Sequence, residues 1–206
     1  MLRSADIATT LTAAAPEAPL LTQIRACTAC AAHLPLGPRP VLQVHPKATI
    51  LIADQAPGSK VHVSGIPFKD ASGDRLRDWM GVDEAQFYDA TRVAILPMGF
   101  CYPGTGRSGD LPPRPECAAT WRAGVMAMLV NVKLVLVIGQ YAQAWHLGDR
   151  QKATLTGTVR AWRDYWPDTL ALPHPSPRNN IWLKRNPWFV EEVVPRMRLR
   201  VRELMT

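Results

Sequence analysis

The sequence predicts an α/β fold, a three-layer α/β/α sandwich around a small, mostly parallel four-stranded sheet. Two observations carry that expectation. Four short runs rich in branched aliphatic residues, at 49–53, 93–97, 134–138 and 169–172, are uncharged and show no alternation of polar and apolar positions. Strands of that pattern are buried on both faces, as in parallel sheets. The stretches between them carry helical spacing, and strands alternating with helices point to βαβ units.

Taken in order, the first run leads to a helix over 73–80, where Leu76 and Trp79 share one side. The second leads to a helix over 116–130 that ends in apolar turns, and the third to one over 140–147. A helix over 159–165 precedes the fourth run, and a last helix over 188–204 closes the chain. The 206 residues compare with roughly 150 for a typical domain. We therefore expect one domain over 19–206 behind a flexible N-terminus at 1–18.

Composition narrows the function classes. Apolar residues make up 47% of the chain, and the longest unbroken apolar run is far too short for a membrane span. The formal net charge is +7, which favours polyanionic partners. The N-terminal segment has no hydrophobic core of the kind an export signal needs, so a cytoplasmic protein is expected; a monomer is expected as well. The 19 prolines fall in short clusters between hydrophobic runs, which reads as rigid loops.

Ligands of parallel α/β sheets sit beyond the carboxyl ends of the strands. There the sequence places Asp54-Gln55-Ala56-Pro57-Gly58, Cys101-Tyr102-Pro103-Gly104, Gly139-Gln140 and His174-Pro175-Ser176-Pro177. Gly65-Ile66-Pro67-Phe68 reads as a turn presenting an aromatic ring that can stack on a planar ligand. The Ser72-Gly73-Asp74 helix start after it is able to take a phosphate. A neutral His174, held by flanking prolines, can donate a hydrogen bond to a developing oxyanion. Residues 178–203 hold seven basic and three acidic side chains, a net +4 that is more than half of the chain's excess. Arg178, Lys184 and Arg185, with Trp182 and Trp188 between and after them, suit a nucleic-acid backbone with bases to stack.

Two residues separate Cys27 from Cys30 and fifteen separate Cys101 from Cys117, with seventy between the pairs. Two thiolates so close can converge on one centre while the distant pair completes it, and four soft ligands suit a [4Fe–4S] cluster or zinc; four unligated thiols are the alternative.

Together, and in this order, these motifs resemble the uracil-DNA glycosylase superfamily, and the cysteine spacing is similar to that of its iron–sulfur family 4 branch. The resemblance covers residues 24–197. It implies a [4Fe–4S] cluster on Cys27, Cys30, Cys101 and Cys117. It further implies a base pocket formed by Ala56, Pro57, Gly58 and Phe68, with Phe68 under the base and His174 facing uracil O2. DNA contacts would come from Pro175, Ser176, Pro177, Arg178, Lys184 and Arg185, with Arg178 entering the base stack. The implied activity is monofunctional hydrolysis of an N-glycosidic bond in single- or double-stranded DNA containing a damaged base, after base flipping. No lysine stands within the matched loops, which argues against Schiff-base chemistry.

Some positions depart from the family pattern. Gln55 stands where family 4 has its water-activating Glu, Ala56 where family 1 has an Asp, Asp54 where a glycine is usual, and Pro97 where an asparagine reads the uracil edge. Asp54 is the nearest replacement carboxylate, with Asp70 and Asp74 behind it. The lost carboxylates also support an alternative, a binding protein that recognises damaged or uracil-containing DNA with little or no excision. A small-molecule hydrolase acting on a phosphorylated ligand is disfavoured, because the chain has no P-loop or nucleotide-binding glycine pattern.

Overall fold

The computed structural model describes residues 17–206, Ser108 excepted. Of the segment expected to be flexible, residues 1–16 therefore lie outside the described residues. Helix α1 spans Glu17–Arg25. Strand β1 (Ile50–Ala53) is followed by α2 (Ser59–Ser64), α3 (Ala71–Met80) and α4 (Glu84–Tyr88), which lead to β2 (Val93–Ile95). A two-stranded hairpin, β3 (Thr105–Gly106) and β4 (Gly109–Asp110), comes next. Helix α5 (Pro115–Cys117) then runs through a π-helical stretch, Ala118–Arg122, into α6 (Ala123–Met128). Strand β5 (Leu134–Ile138), α7 (Gly139–Leu147), α8 (Leu155–Arg160) and β6 (Thr169–Leu172) follow. The chain closes with α9 (Asn180–Arg185), a second π-helical stretch at Phe189–Val193 and α10 (Val194–Met205).

The main sheet has the order β2-β1-β5-β6, and every pairing in it is parallel. Successive side chains of a strand point to opposite faces, so each strand feeds two layers. Ile50 and Ile52 of β1 pack with Leu76, Trp79, Val159 and Phe189 from α3, α8 and the C-terminal segment. Leu51 packs on the other face with Ile24, Phe100 and Val125, while Ala53 joins Val137, Ala142 and Leu147. All four residues of β1 are fully buried, which is why the run shows no alternation. Each buried Ile or Leu contributes roughly 1.5–3 kcal/mol relative to exposure, and a charge on either face of β1 would enter a core.

Two helices differ from the sequence expectation. The helix expected over 116–130 begins one residue earlier, contains a π-helical stretch and ends at Met128. The helix expected over 159–165 is α8, displaced toward the N-terminus because Thr154 caps it by accepting from the Gly157 N–H, followed by a separate 3-10 turn at Trp162–Asp164. Among the described residues, no helix is long and apolar enough to cross a membrane.

Candidate active site

The carboxyl ends of β1, β2 and β6 open into a cleft of about 580 Å³, lined among others by Asp54, Gln55, Phe68, Pro97, Asp110 and His174. The loop after β1 is fastened to the chain leaving β2: the Met98 N–H donates to Asp54 O (2.8 Å) and the Gly99 N–H to Gln55 O (3.0 Å). Ala56, Pro57 and Gly58 line the cleft. The Gln55 side chain is committed elsewhere, its Nε2 donating to Leu111 O at 3.0 Å.

Asp54 forms part of the cleft floor, 6% exposed, with an Oδ1 that is shielded from solvent and has no hydrogen-bond partner. Burial pushes its carboxyl up to about 7, against the pull of the Arg122 guanidinium and with a smaller push from Asp70. Below pH 4 both the folded and the unfolded chain hold this proton; between pH 4 and 7 only the folded chain does. The contribution of Asp54 to stability is thus complete at low pH and is lost as pH rises through about 7. Asp54→Asn should remove this decline. In urea titrations the stability of the variant relative to wild type is expected to grow by on the order of 2 kcal/mol from pH 5 to pH 8; a constant difference would contradict it.

Phe68 is set by its backbone. At φ 55° it is the one positive-φ residue other than glycine among those described. Asp70 caps α3, its Oδ1 accepting from the N–H groups of Ser72 (2.9 Å) and Gly73 (3.0 Å). Gly73 lies so close that a Cβ there would fall 1.7 Å from Phe68 O. The Phe68 ring meets Phe87 edge-on at 6.2 Å and is 6% exposed, so only a small part of it forms the cleft wall. The phosphate expected at the start of α3 is not accommodated, because the Asp70 carboxylate already takes those donors.

His174 follows β6 after one residue, the buried Pro173. Its Nδ1 accepts from the Ser176 N–H at 3.1 Å, so in the neutral ring the proton sits on Nε2. Burial lowers its pKa; Asp70 and Asp110 pull it up, and Arg178 adds to the lowering. The net downward shift keeps the imidazole neutral at physiological pH. The loop is braced from outside: Asn179 Nδ2 donates to His174 O (2.7 Å), and Arg75 of α3 donates to Ser176 O (3.1 Å) and Asn180 Oδ1 (2.8 Å). Arg75 was not legible as a functional residue, since an arginine on an amphipathic helix carries no sign of its target.

Ser176, Pro177 and Arg178 line the cleft, whereas Pro175 is buried behind the loop. Lys184 and Arg185 are exposed in the last turn of α9. Trp182 and Trp188 correct the sequence reading. Both rings pack edge-on against Phe189, at 5.8 and 6.4 Å, their indole N–H groups donate to Thr156 and Asn186, and Arg160 covers Trp188. They serve the core and are not free to stack on bases.

The rim differs from expectation at two further places. Gly139 starts α7 directly, at φ 77°, so β5 contributes no loop to the cleft. The wall assigned to 101–104 is instead built by the β3-β4 hairpin, whose Thr105, Gly109 and Asp110 line the cleft. Lys60, at the start of α2, also reaches the cleft edge, a lysine that the matched loops themselves lack.

A family model for the uracil DNA glycosylase superfamily matches residues 42–198, from just before β1 into α10. The chain belongs to this superfamily. The match spans the whole parallel sheet and the loops after β1 and β6 that line the cleft. It begins after Cys27 and Cys30, and includes Cys101 and Cys117.

All four cysteines are free and line one cavity on the other side of the loop after β2, together with Phe100, Arg114 and Trp121. Trp121 Nε1–H donates to Cys27 Sγ and the Phe100 N–H to Cys117 Sγ, each at 3.3 Å. Burial pushes the Cys117 thiol up to about 12 and also raises Cys101 and Cys30. Among the described residues no group of three or more His, Cys, Asp or Glu is arranged to hold a metal ion.

Between this cavity and the cleft lies Arg122, fully buried at the end of the first π-helical stretch. Its Nη1 donates to Leu96 O (3.2 Å) and Pro97 O (3.0 Å), and its Nη2 meets His146 Nε2 at 2.6 Å. Burial lowers its pKa to about 10 while Asp54 holds it up, and burial with the Arg122 charge pushes His146 down to about 3. His146 is therefore the neutral acceptor. Nothing in the sequence distinguished this arginine from those on helix surfaces.

Proposed function

We propose that the protein is a monofunctional DNA glycosylase that hydrolyses the N-glycosidic bond of uracil or a related deaminated base. The observation that carries this reading is the neutral His174, its Nε2–H without a partner among the described residues, in one cleft with the Phe68 ring. A base inside a duplex is out of reach until its nucleotide rotates outward, at a cost of a few kcal/mol. Arg178 at the cleft edge, with Lys184 and Arg185 on the following helix, would hold the phosphates and offset that cost.

With the base against Phe68, cleavage proceeds through an oxocarbenium-like sugar and a departing base anion, as in other glycosidic hydrolyses. His174 Nε2–H donates to the anion as charge develops, and a neutral donor can do this without first losing a competing ion partner. The reaction ends with an abasic site and an intact strand. Strand breaks formed without alkali, together with a protein–DNA adduct formed by borohydride reduction of a Lys60 imine, would overturn the monofunctional assignment.

We further propose, from the resemblance to family 4, that Cys27, Cys30, Cys101 and Cys117 hold a [4Fe–4S] cluster. Support comes from the four thiols that share one cavity, whose other charged lining residues, Arg114 and Glu116, are paired with each other, and from the N–H groups aimed at two of its sulfurs, the kind of contact that tunes cluster sites. The cluster would act structurally, tying the segment after α1 to the chain that follows β2. Protein purified without air should absorb at about 400 nm, and Cys30→Ser should lose the band; a colourless protein carrying zinc or no metal would contradict this.

A further inference from the structure

We propose that Asp110, on the β3-β4 hairpin, is the catalytic carboxylate that faces the sugar and takes the proton of the attacking water. The inference rests on the glycosylase reading, and it fills the place left empty by Gln55 and Ala56 on the first loop. Three aspartates line the cleft: Asp54, Asp70 and Asp110. Asp54 is sunk in the floor with its Oδ1 sealed from solvent. Asp70 is half-buried and is held by two backbone N–H groups as the cap of α3. Asp110 alone of the three is exposed, in the same cleft as Phe68 and open to the sugar of a nucleotide flipped into it.

The hairpin holds this carboxylate in a defined place. Thr105 Oγ1 is 2.5 Å from the hydroxyl of the buried Tyr102 and 3.2 Å from Asp110 Oδ1, to which it donates. That chain fixes Oδ1 and turns Oδ2 toward the first loop, where it lies 3.6 Å from the position a Cβ would take on Gly58. Gly58 therefore keeps open the space beside the carboxylate. On its other side the hairpin meets the His174 loop, since a Cβ on Gly109 would fall 2.7 Å from Arg178 Nη1. Asp110 is also close enough to His174 to act on its charge. One short hairpin thus spans both walls and sets an anionic group opposite a neutral hydrogen-bond donor, the arrangement that a cationic sugar and an anionic leaving base require.

In the step proposed, the C1′–N bond breaks and its electron pair leaves with the base, which His174 Nε2–H stabilises. The water oxygen forms the C1′–O bond and its proton passes to Asp110. Transfer of that proton to the base returns the carboxylate, and the balance is nucleotide plus water giving abasic sugar plus neutral base.

Single-turnover excision and equilibrium binding on the same uracil oligonucleotide test this. Asp110→Asn should slow the chemical step by about a hundredfold or more, bind DNA as tightly as wild type or slightly more tightly because an anion is removed, and keep its melting temperature. Asp110→Glu should recover part of the rate. A purely structural hairpin would instead weaken binding or stability along with the rate. If Asp110→Asn excises at the wild-type rate the inference is wrong while the glycosylase reading stands. If the wild-type protein excises nothing from any substrate, both fall together.

Discussion

Replacing His174 with alanine should slow base excision by about 10²–10³-fold while leaving DNA binding within a few fold. The expectation follows from where the proton lies. Nδ1 is occupied as an acceptor from the Ser176 N–H, and the ring's lowered pKa keeps it neutral, so Nε2–H is the only imidazole donor that can meet the leaving base. Its hydrogen bond strengthens as the base becomes an anion, and loss of such an interaction appears in the rate of the chemical step and hardly at all in binding. His174→Asn, which offers an amide donor from a shorter side chain, should recover only part of the loss. Single-turnover rates compared with filter-binding constants check this; a variant that binds poorly but reacts at full rate would show that the histidine positions DNA instead.

The second large effect is expected from Gly73→Ala. A methyl group there would sit 1.7 Å from Phe68 O and 2.7 Å from its carbonyl carbon. These are backbone atoms, which cannot rotate away like the tip of a flexible side chain. Either α3 shifts and releases the Asp70 cap, or Phe68 leaves its left-handed conformation and takes the ring out of the cleft wall. We expect a loss on the order of 4 kcal/mol, at the upper end for single substitutions, measured by urea unfolding, with excision by the remaining folded protein also reduced. Gly58→Ala is the control for unfolding, because its nearest neighbour outside the adjoining chain would be Asp110 Oδ2 at an ordinary 3.6 Å. A Gly73→Ala protein as stable as wild type would mean that the contact between α3 and Phe68 is not what sets this ring.

The sheet was legible because its strands had no other way to bury themselves. The runs at 134–138 and 169–172 coincide with β5 and β6, and those at 49–53 and 93–97 overrun β1 and β2 by one and two residues. The cleft was legible wherever a strand ended in a Gly/Pro-shaped loop, as at Asp54–Gly58 and His174–Pro177. It was not legible where the wall came from two-residue strands: Thr105–Gly106 and Gly109–Asp110 are polar, glycine-rich and without alternation.

Side-chain fate was harder to read than position. Asp54 had the right chemistry, but on an extended segment a shift of one residue turns a side chain to the opposite side, and here it enters the floor beside buried Arg122. Trp182 and Trp188 lie among basic residues and so suggested base stacking, yet their rings complete the core around Phe189. Arg122 shows the converse: a charged residue in a helical pattern is ordinarily solvated, and only the fold reveals that it ties the carbonyls of Leu96 and Pro97 to His146.

The most direct test of the glycosylase reading is an excision panel. Single- and double-stranded oligonucleotides carrying uracil, hypoxanthine or xanthine are incubated with the full-length protein and then treated with hot alkali. The expected result is alkali-labile abasic sites at the altered base in at least one substrate, with the strand intact before alkali. Salt-sensitive binding of the same DNA with no abasic site in any member of the panel would contradict it and would make the protein a reader of damaged DNA.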